Sequence, residues 1–238
     1  MHLTNTTNID VIRFLRGRLS SNDNKAEATT PFSDRLVYEA LRSSRASLIF
    51  QKQQANQYLN QDNYQTIGCI PLREVDVVDC PCAPKSGCTF RASTIDVPTP
   101  IGKFYSVTSI DGSITYAYVP WDRFKYKLND RYASTSNTAF FTTKNTKKGA
   151  RLYLYNDIHK EYAAVTGIFA DPVKVYSYPK CDGKSLKCTD PLYFNFPIDP
   201  ELLPNVYEMA VQLLRPLSPQ ADKLQNDSDD SHSNTPLK

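Results

Sequence analysis

The stretch FYSVTSIDGSITYAYV, residues 104–119, consists of two β-prone runs on either side of Asp111-Gly112. An Asp-Gly pair between such runs predicts a tight type I′ hairpin turn, because both central residues must tolerate positive φ. Further along the chain, TAFFTT (138–143) and ARLYLYND (150–157) flank a polar turn, KNTKKG. AAVTGIF (163–169) and VKVYSY (173–178) read as two more strands. Short strands at this spacing predict a small antiparallel sandwich or barrel. Tyr116, Tyr118, Tyr153, Tyr155, Tyr176 and Tyr178 recur at period 2 in these runs. One face would then carry phenolic rings, suited to a core with satisfied hydroxyls or to a protein interface.

The flanks on both sides are helical in texture. Val11, Ile12, Leu15 and Leu19 follow an i, i+1, i+4, i+8 pattern, with Thr7 or Asn8 available as N-cap. SSNDNKAEATTP (20–31) is a polar linker. A second, longer helix is predicted from Ser33, an N-cap followed by Asp34, which suits the first turn of the helix dipole. Its apolar face holds Val37, Leu41, Ser44 and Leu48 with Leu36 and Ala40 beside them, leaving Arg35, Arg42 and Arg45 for the remaining surface. Those arginines read as a solvated face, with a face toward a partner protein or DNA as the sharper alternative. Near the end, Asp199 caps a turn with Pro200 at its first position, and Pro204 opens a helix. Val206, Ala210 and Leu213, with Met209 and Leu214, form the apolar face of that helix, and Pro216 stops it.

The expected architecture is therefore α+β. N- and C-terminal helices (1–60 and 196–216) pack together as a helical domain, and a central antiparallel β module (61–195), a sandwich or barrel, projects from it. A polar tail (217–238) follows, disordered alone unless a partner orders it.

Composition narrows the chemistry. The chain has 238 residues, with only 8 Gly and 3 His against 15 Tyr and 16 Pro. Glycine-rich phosphate loops have almost no raw material, and none of GxGxxG, GxxxxGK[ST] or GxSxG occurs. His2, His159 and His232 lie far apart. These counts disfavour most nucleotide-dependent and histidine-based enzymes and point to a binding or structural protein. A net charge of +3 argues by itself for neither nucleic acid nor an anionic membrane. No stretch approaches the ~18–20 apolar residues that span a bilayer, and the N-terminus does not read as a secretory signal.

Two groups of residues are chemical candidates. Cys80, Cys82 and Cys88 cluster as C-P-C-x5-C, with Cys69 before them and Cys181 and Cys188 far downstream. Structural zinc favours paired C-x2–4-C knuckles, a spacing absent here, so the three are weak metal ligands. Unliganded thiols are the favoured reading, with a metal site or late-formed disulfides as alternatives, because cytosol keeps thiols reduced. A catalytic cysteine would need a partner such as His159, which nothing in the sequence places nearby. Lys144, Lys147, Lys148 and Arg151 form a basic loop whose phosphate contacts would be sequence-independent. A solvated hairpin tip is the simpler reading, and no aromatic residue is interleaved within the loop. Asp96, Asp111, Asp122, Asp157 and Asp171 are scattered over predicted turns, and Asp111 and Asp171 read as turn residues.

Taken in order, PFSDRLVYEALRSSRASLIFQK (31–52), NYQTIGCIPL (63–72), DCPCAPKSGC (79–88), LYLYN (152–156), GIFADP (167–172) and FPIDPELLPNVYEMAVQLL (196–214) resemble a known family. The series is similar to the head-to-tail connector, or ring, proteins of crAss-like bacteriophages, and covers roughly 30 to 215. The resemblance implies a virion structural protein, made in the bacterial host cytoplasm. It implies a cyclic homo-oligomer, usually of twelve subunits, stacked beneath the portal with helices against neighbours or portal and the β module against the next ring. Each subunit would line part of a channel for genomic DNA without sequence specificity. No catalytic residue, cofactor or membrane partner is implied. The competing readings are a thiolate-metal (zinc) module for protein or nucleic acid, and a hydrolase built around His159.

Overall fold

The computed structural model describes residues 6–22, 32–75, 90–123, 139–147, 149–155, 160–178, 180–181 and 193–217. Helix α1 (Asn8–Asn22) is capped by Thr7. The Thr7 hydroxyl accepts from the Asp10 amide while the Asp10 carboxylate accepts from the Thr7 amide at 3.2 Å, a reciprocal pair that satisfies two otherwise orphan donors. Helix α1 takes in residues 20–22 of the expected linker. Helix α2 (Asp34–Gln54) starts as predicted, with Ser33 Oγ accepting from the Leu36 amide at 3.3 Å. Its Val37, Ala40, Leu41, Ser44 and Ile49 are buried.

The central segment forms seven strands. They are β1 (Gln65–Glu74), β2 (Phe90–Ser93), β3 (Ser106–Ser109), β4 (Ala117–Tyr118), β5 (Phe140–Asn145), β6 (Ala150–Tyr155) and β7 (Tyr162–Gly167). Their order across the sheet is β3-β7-β1-β2-β6-β5-β4. Neighbours are antiparallel except β4 and β5, which pair in parallel over two residues, so the all-antiparallel expectation gives way to a mixed sheet. The outer strands β3 and β4 are joined by the 104–119 hairpin. Thr108 bridges Thr115, the Ser109 amide donates to the Ile114 carbonyl, and the Tyr116 amide donates to the Val107 carbonyl. The sheet thus closes nearly into a barrel, which covers the unpaired edges an open sheet would expose.

The turn that closes it is not type I′. Only Gly112 adopts positive φ (69°), and its amide donates to the Ser109 carbonyl at 3.0 Å. The physical reason lies in the Asp111 side chain, which accepts from the Ser113 amide and hydroxyl and from Lys160 Nζ at 2.7 Å. That local network holds a wider, four-residue connection. The expected strand over 173–178 is also absent. Pro172–Val175 forms a single helical turn, α3, because Pro172 at the first helical position outweighs the β propensity of Val173 and Val175. The chain ends in helix α4 (Leu203–Leu214), with Pro204 in its first turn and a 3₁₀ turn over Arg215–Leu217. Val206, Tyr207, Ala210, Val211 and Leu214 are buried, whereas Leu213, assigned to the apolar face by periodicity, is half exposed.

Two main cores result. One joins α1, α2 and α4 through Val11, Leu15, Val37, Leu41, Val206 and Leu214. The other fills the barrel with Ile67, Ile70, Phe104, Val107, Leu152 and Val165. Ile101 and Ile168 leave the barrel and join the helical core, so the two regions share packing. A smaller aromatic cluster covers the other face of β2, β5 and β6.

Candidate functional site

Arg45 joins the helices to the barrel. Periodicity places it on the surface of α2, yet it is fully buried. Its Nε donates to the Pro197 carbonyl at 2.7 Å, one terminal nitrogen to Phe169 at 2.8 Å and the other to Asn63 at 3.3 Å. Burial pulls its guanidinium down to about 10, so it remains charged at neutral pH. Three carbonyl dipoles from three segments replace the water it has lost, and burying a charge is tolerable only with such partners. Asn63, itself buried, accepts from the Asp199 amide at 3.1 Å and donates to the Asn60 carbonyl at 3.0 Å. Nearby, Arg42 pairs with Asp171 at 3.2 Å and with Glu39. Asp171 thus serves an ion pair rather than a side-chain cap, and Arg35 alone of the three arginines is exposed as expected.

The basic loop is the tip of the β5–β6 hairpin, where Lys144 pairs across from Arg151. The charge there is smaller than the sequence suggests. Asp96 neutralises Arg151 at 3.2 Å and also accepts from Thr146 Oγ1 at 2.9 Å. Lys144 lies over the Trp121 ring at 5.5 Å, and Trp121 meets Tyr153 edge-on at 5.0 Å. An aromatic partner therefore exists, supplied by a distant segment. Lys147 is exposed, and Lys148 lies outside the described residues.

The tyrosines do not share one face. Tyr153 and Tyr155 belong to the outer aromatic cluster. Tyr116 is buried in the barrel and Tyr118 is half exposed, because Tyr116 precedes β4 and only Tyr118 lies within it. Tyr176 and Tyr178 follow α3, and Tyr178 donates to the Asp96 carbonyl at 2.7 Å. A separate exposed group was not legible beforehand: Tyr105, 70% exposed, packs against Tyr64 at 4.7 Å beside Tyr58, 83% exposed.

Cys69 and Cys181 form a disulfide with Cα atoms 5.2 Å apart, which corrects the expectation of unliganded thiols for these two. Compartment rules say when such a bond forms, whereas the fold sets which sulfurs meet. Cys80, Cys82, Cys88, Cys188, His159 and Asp157 lie outside the described residues. Among the described residues, no three His, Cys, Asp or Glu side chains group as metal ligands, and no helix is long and apolar enough to cross a membrane.

The polar chemistry of this α+β chain goes into joining its own parts, while aromatic, aliphatic and basic side chains remain at the surface. Exposed tyrosines and leucines of this kind suit contact with other proteins. The chain belongs to the family of crAss-phage ring proteins described as phage tail ring protein 2, whose profile matches residues 18–231. It is a virion component of a structural class, not of an enzyme class. No curated protein matches the chain.

Proposed function

We propose that the chain forms a closed ring in the head-to-tail connector below the portal, linking capsid to tail and lining the channel for genomic DNA. The observation that carries the reading is family membership over residues 18–231. Architecture supports it: a helical region and a β module held together by Arg45 give one subunit two distinct adhesive regions. A ring subunit needs two such surfaces, because heterologous interfaces close only when each copy offers both halves.

In this reading residues 1–60 and 196–216 act as the helical domain and 61–195 as the β module. Twelve copies stack on the portal, with the helices toward neighbours or portal and the barrel toward the next ring. The Lys144, Lys147, Lys148 and Arg151 hairpin faces a neighbour or the channel. Its partial neutralisation by Asp96 suits a lumen through which DNA slides, since each unpaired cation would hold a phosphate. The subunit is made in the host cytoplasm and acts in the virion. Native mass measurement of the chain with its phage's portal protein tests this. A cyclic complex is expected, and a chain that stays monomeric and ignores the portal would refute it.

A further inference from the structure

The described contacts fix the direction of each helix in the bundle. The Asn8 amide donates to the Phe194 carbonyl at 2.9 Å, so α1 starts beside the approach to α4. Phe14 meets Tyr207 at 4.6 Å, so α1 and α4 continue side by side. Arg16 then reaches the Phe32 carbonyl at 2.7 Å and Asp34 at 2.9 Å, at the start of α2. Arg45, further along α2, returns to Pro197 at 2.7 Å. Helices α1 and α4 therefore run one way and α2 the other. The last turns of α1, the first turn of α2 and the end of α4 meet at the end of the bundle away from the Arg45 junction.

That end is apolar and basic at once. Leu36, Leu213 and Leu217 are exposed there at 38%, 49% and 58%. Arg18 lies over the Phe14 ring at 5.5 Å in the second half of α1, and Arg35 and Arg215 are exposed in the first turn of α2 and after the end of α4. The nearby carboxylate Asp34 is held by Arg16. Exposed leucines beside arginines suit an acidic segment with an occasional apolar residue.

The chain itself carries such a segment. Residues 218–238 hold Asp222, Asp227, Asp229 and Asp230 against Lys223 and Lys238, a net of −2, with Leu224 among them. The family match extends to residue 231, so the run Asp227–Asp230 lies inside it. Leu217 and Asp227 are ten residue steps apart, and ten extended steps span up to about 33–36 Å. The end of a three-helix bundle is only ~20–25 Å across. A chain of that length is enough to carry the acidic run past its own bundle.

We propose that residues 218–238 of one copy dock on the Arg18, Arg35, Arg215, Leu36, Leu213 and Leu217 surface of a second copy. The proposal rests on the ring reading only in taking another copy as the partner. Each subunit then gives a tail and receives one, the arrangement that a closed ring requires.

Two full-length variants test it, one with D227K, D229K and D230K in the tail, the other with R18E, R35E and R215E on the bundle. A fluorescent peptide of residues 218–238 should bind the tail-reversed chain saturably, and more weakly as salt rises. Adding the three Arg→Glu changes should weaken binding at least tenfold, whereas R18K, R35K and R215K should keep it. Thermal melts confirm that each variant is folded. Absence of saturable binding at low salt, or binding indifferent to charge reversal, overturns the proposal. Unsubstituted copies mixed from isotopically distinct preparations should then give tail-to-bundle crosslinks between different copies, lost in either variant alone. Crosslinks found only within one copy would place the tail on its own bundle and overturn docking between copies. A ring that forms without these contacts would sink this proposal and leave the ring reading standing.

Discussion

Arg45 shows what one side chain contributes to the molecule. Its three carbonyl partners lie 18, 124 and 152 residues away, so truncation leaves several buried acceptors without donors at once. Arg45→Met is expected to cost roughly 3–5 kcal/mol, in the range for losing one partner of a buried charged network, and Arg45→Lys less. Urea denaturation measures both, and a loss below ~1 kcal/mol for the Met variant would be that of a surface position. Asp111 is the opposite case, exposed and local. Lys160 above all, then Ser109 and Ser113, holds its carboxyl well below its ordinary value of 3.8. A depressed carboxyl adds stability above that value and loses it as pH falls through the folded-state value. Asp111→Asn should therefore lower Tm at pH 7, by more at low salt than at high, with the gap closing below about pH 4. A gap independent of pH between 7 and 2 would show that the carboxylate charge contributes nothing.

Among the elements, legibility follows the range of the interactions. The Ser33 cap and the Val37 and Leu41 face of α2 were readable because they depend on neighbours within four residues. Strands β5, β6 and β7 were readable for the same reason. Arg45 was not, because an arginine on a helix looks solvated until distant carbonyls surround it. Tyr58, Tyr64 and Tyr105 carried no local signal either, since the fold alone brings them together. Over 173–178 the β-prone VKVYSY predicts a strand, and Pro172 at a first helical position makes a helical turn instead. The approach of Gly149 to the barrel wall was equally hidden. Val97 and Ala150 exchange two backbone hydrogen bonds of 2.8 Å, and a Cβ at 149 would run into the Val97 carbonyl. Gly149→Ala should thus destabilise the barrel by about 1–3 kcal/mol, visible in a thermal melt. An unchanged melt would mean that this wall yields. The disulfide staples β1 to residue 181 across a separation of 112 residues. Its reduction, or the double change Cys69→Ala and Cys181→Ala, should cost about 2–4 kcal/mol. Equal stability with and without reductant would mean the bond constrains nothing.

For the whole molecule, the nearly closed barrel and the helical bundle each carry a hydrophobic core and are joined at Arg45. The tyrosine group, the tip of the β5–β6 hairpin and the end of the bundle expose aromatic, basic and apolar side chains. The composition fits as well. Few glycines and histidines left little for catalysis, and the tyrosines went partly to cores and partly to exposed clusters. Cryo-electron microscopy of the intact virion, with the density at the portal–tail junction traced against this fold, tests the central claim most directly. The account predicts twelve copies of this chain in one closed ring beneath the portal, around the DNA. Density for this chain found elsewhere in the virion, or without rotational closure about the tail axis, would contradict it.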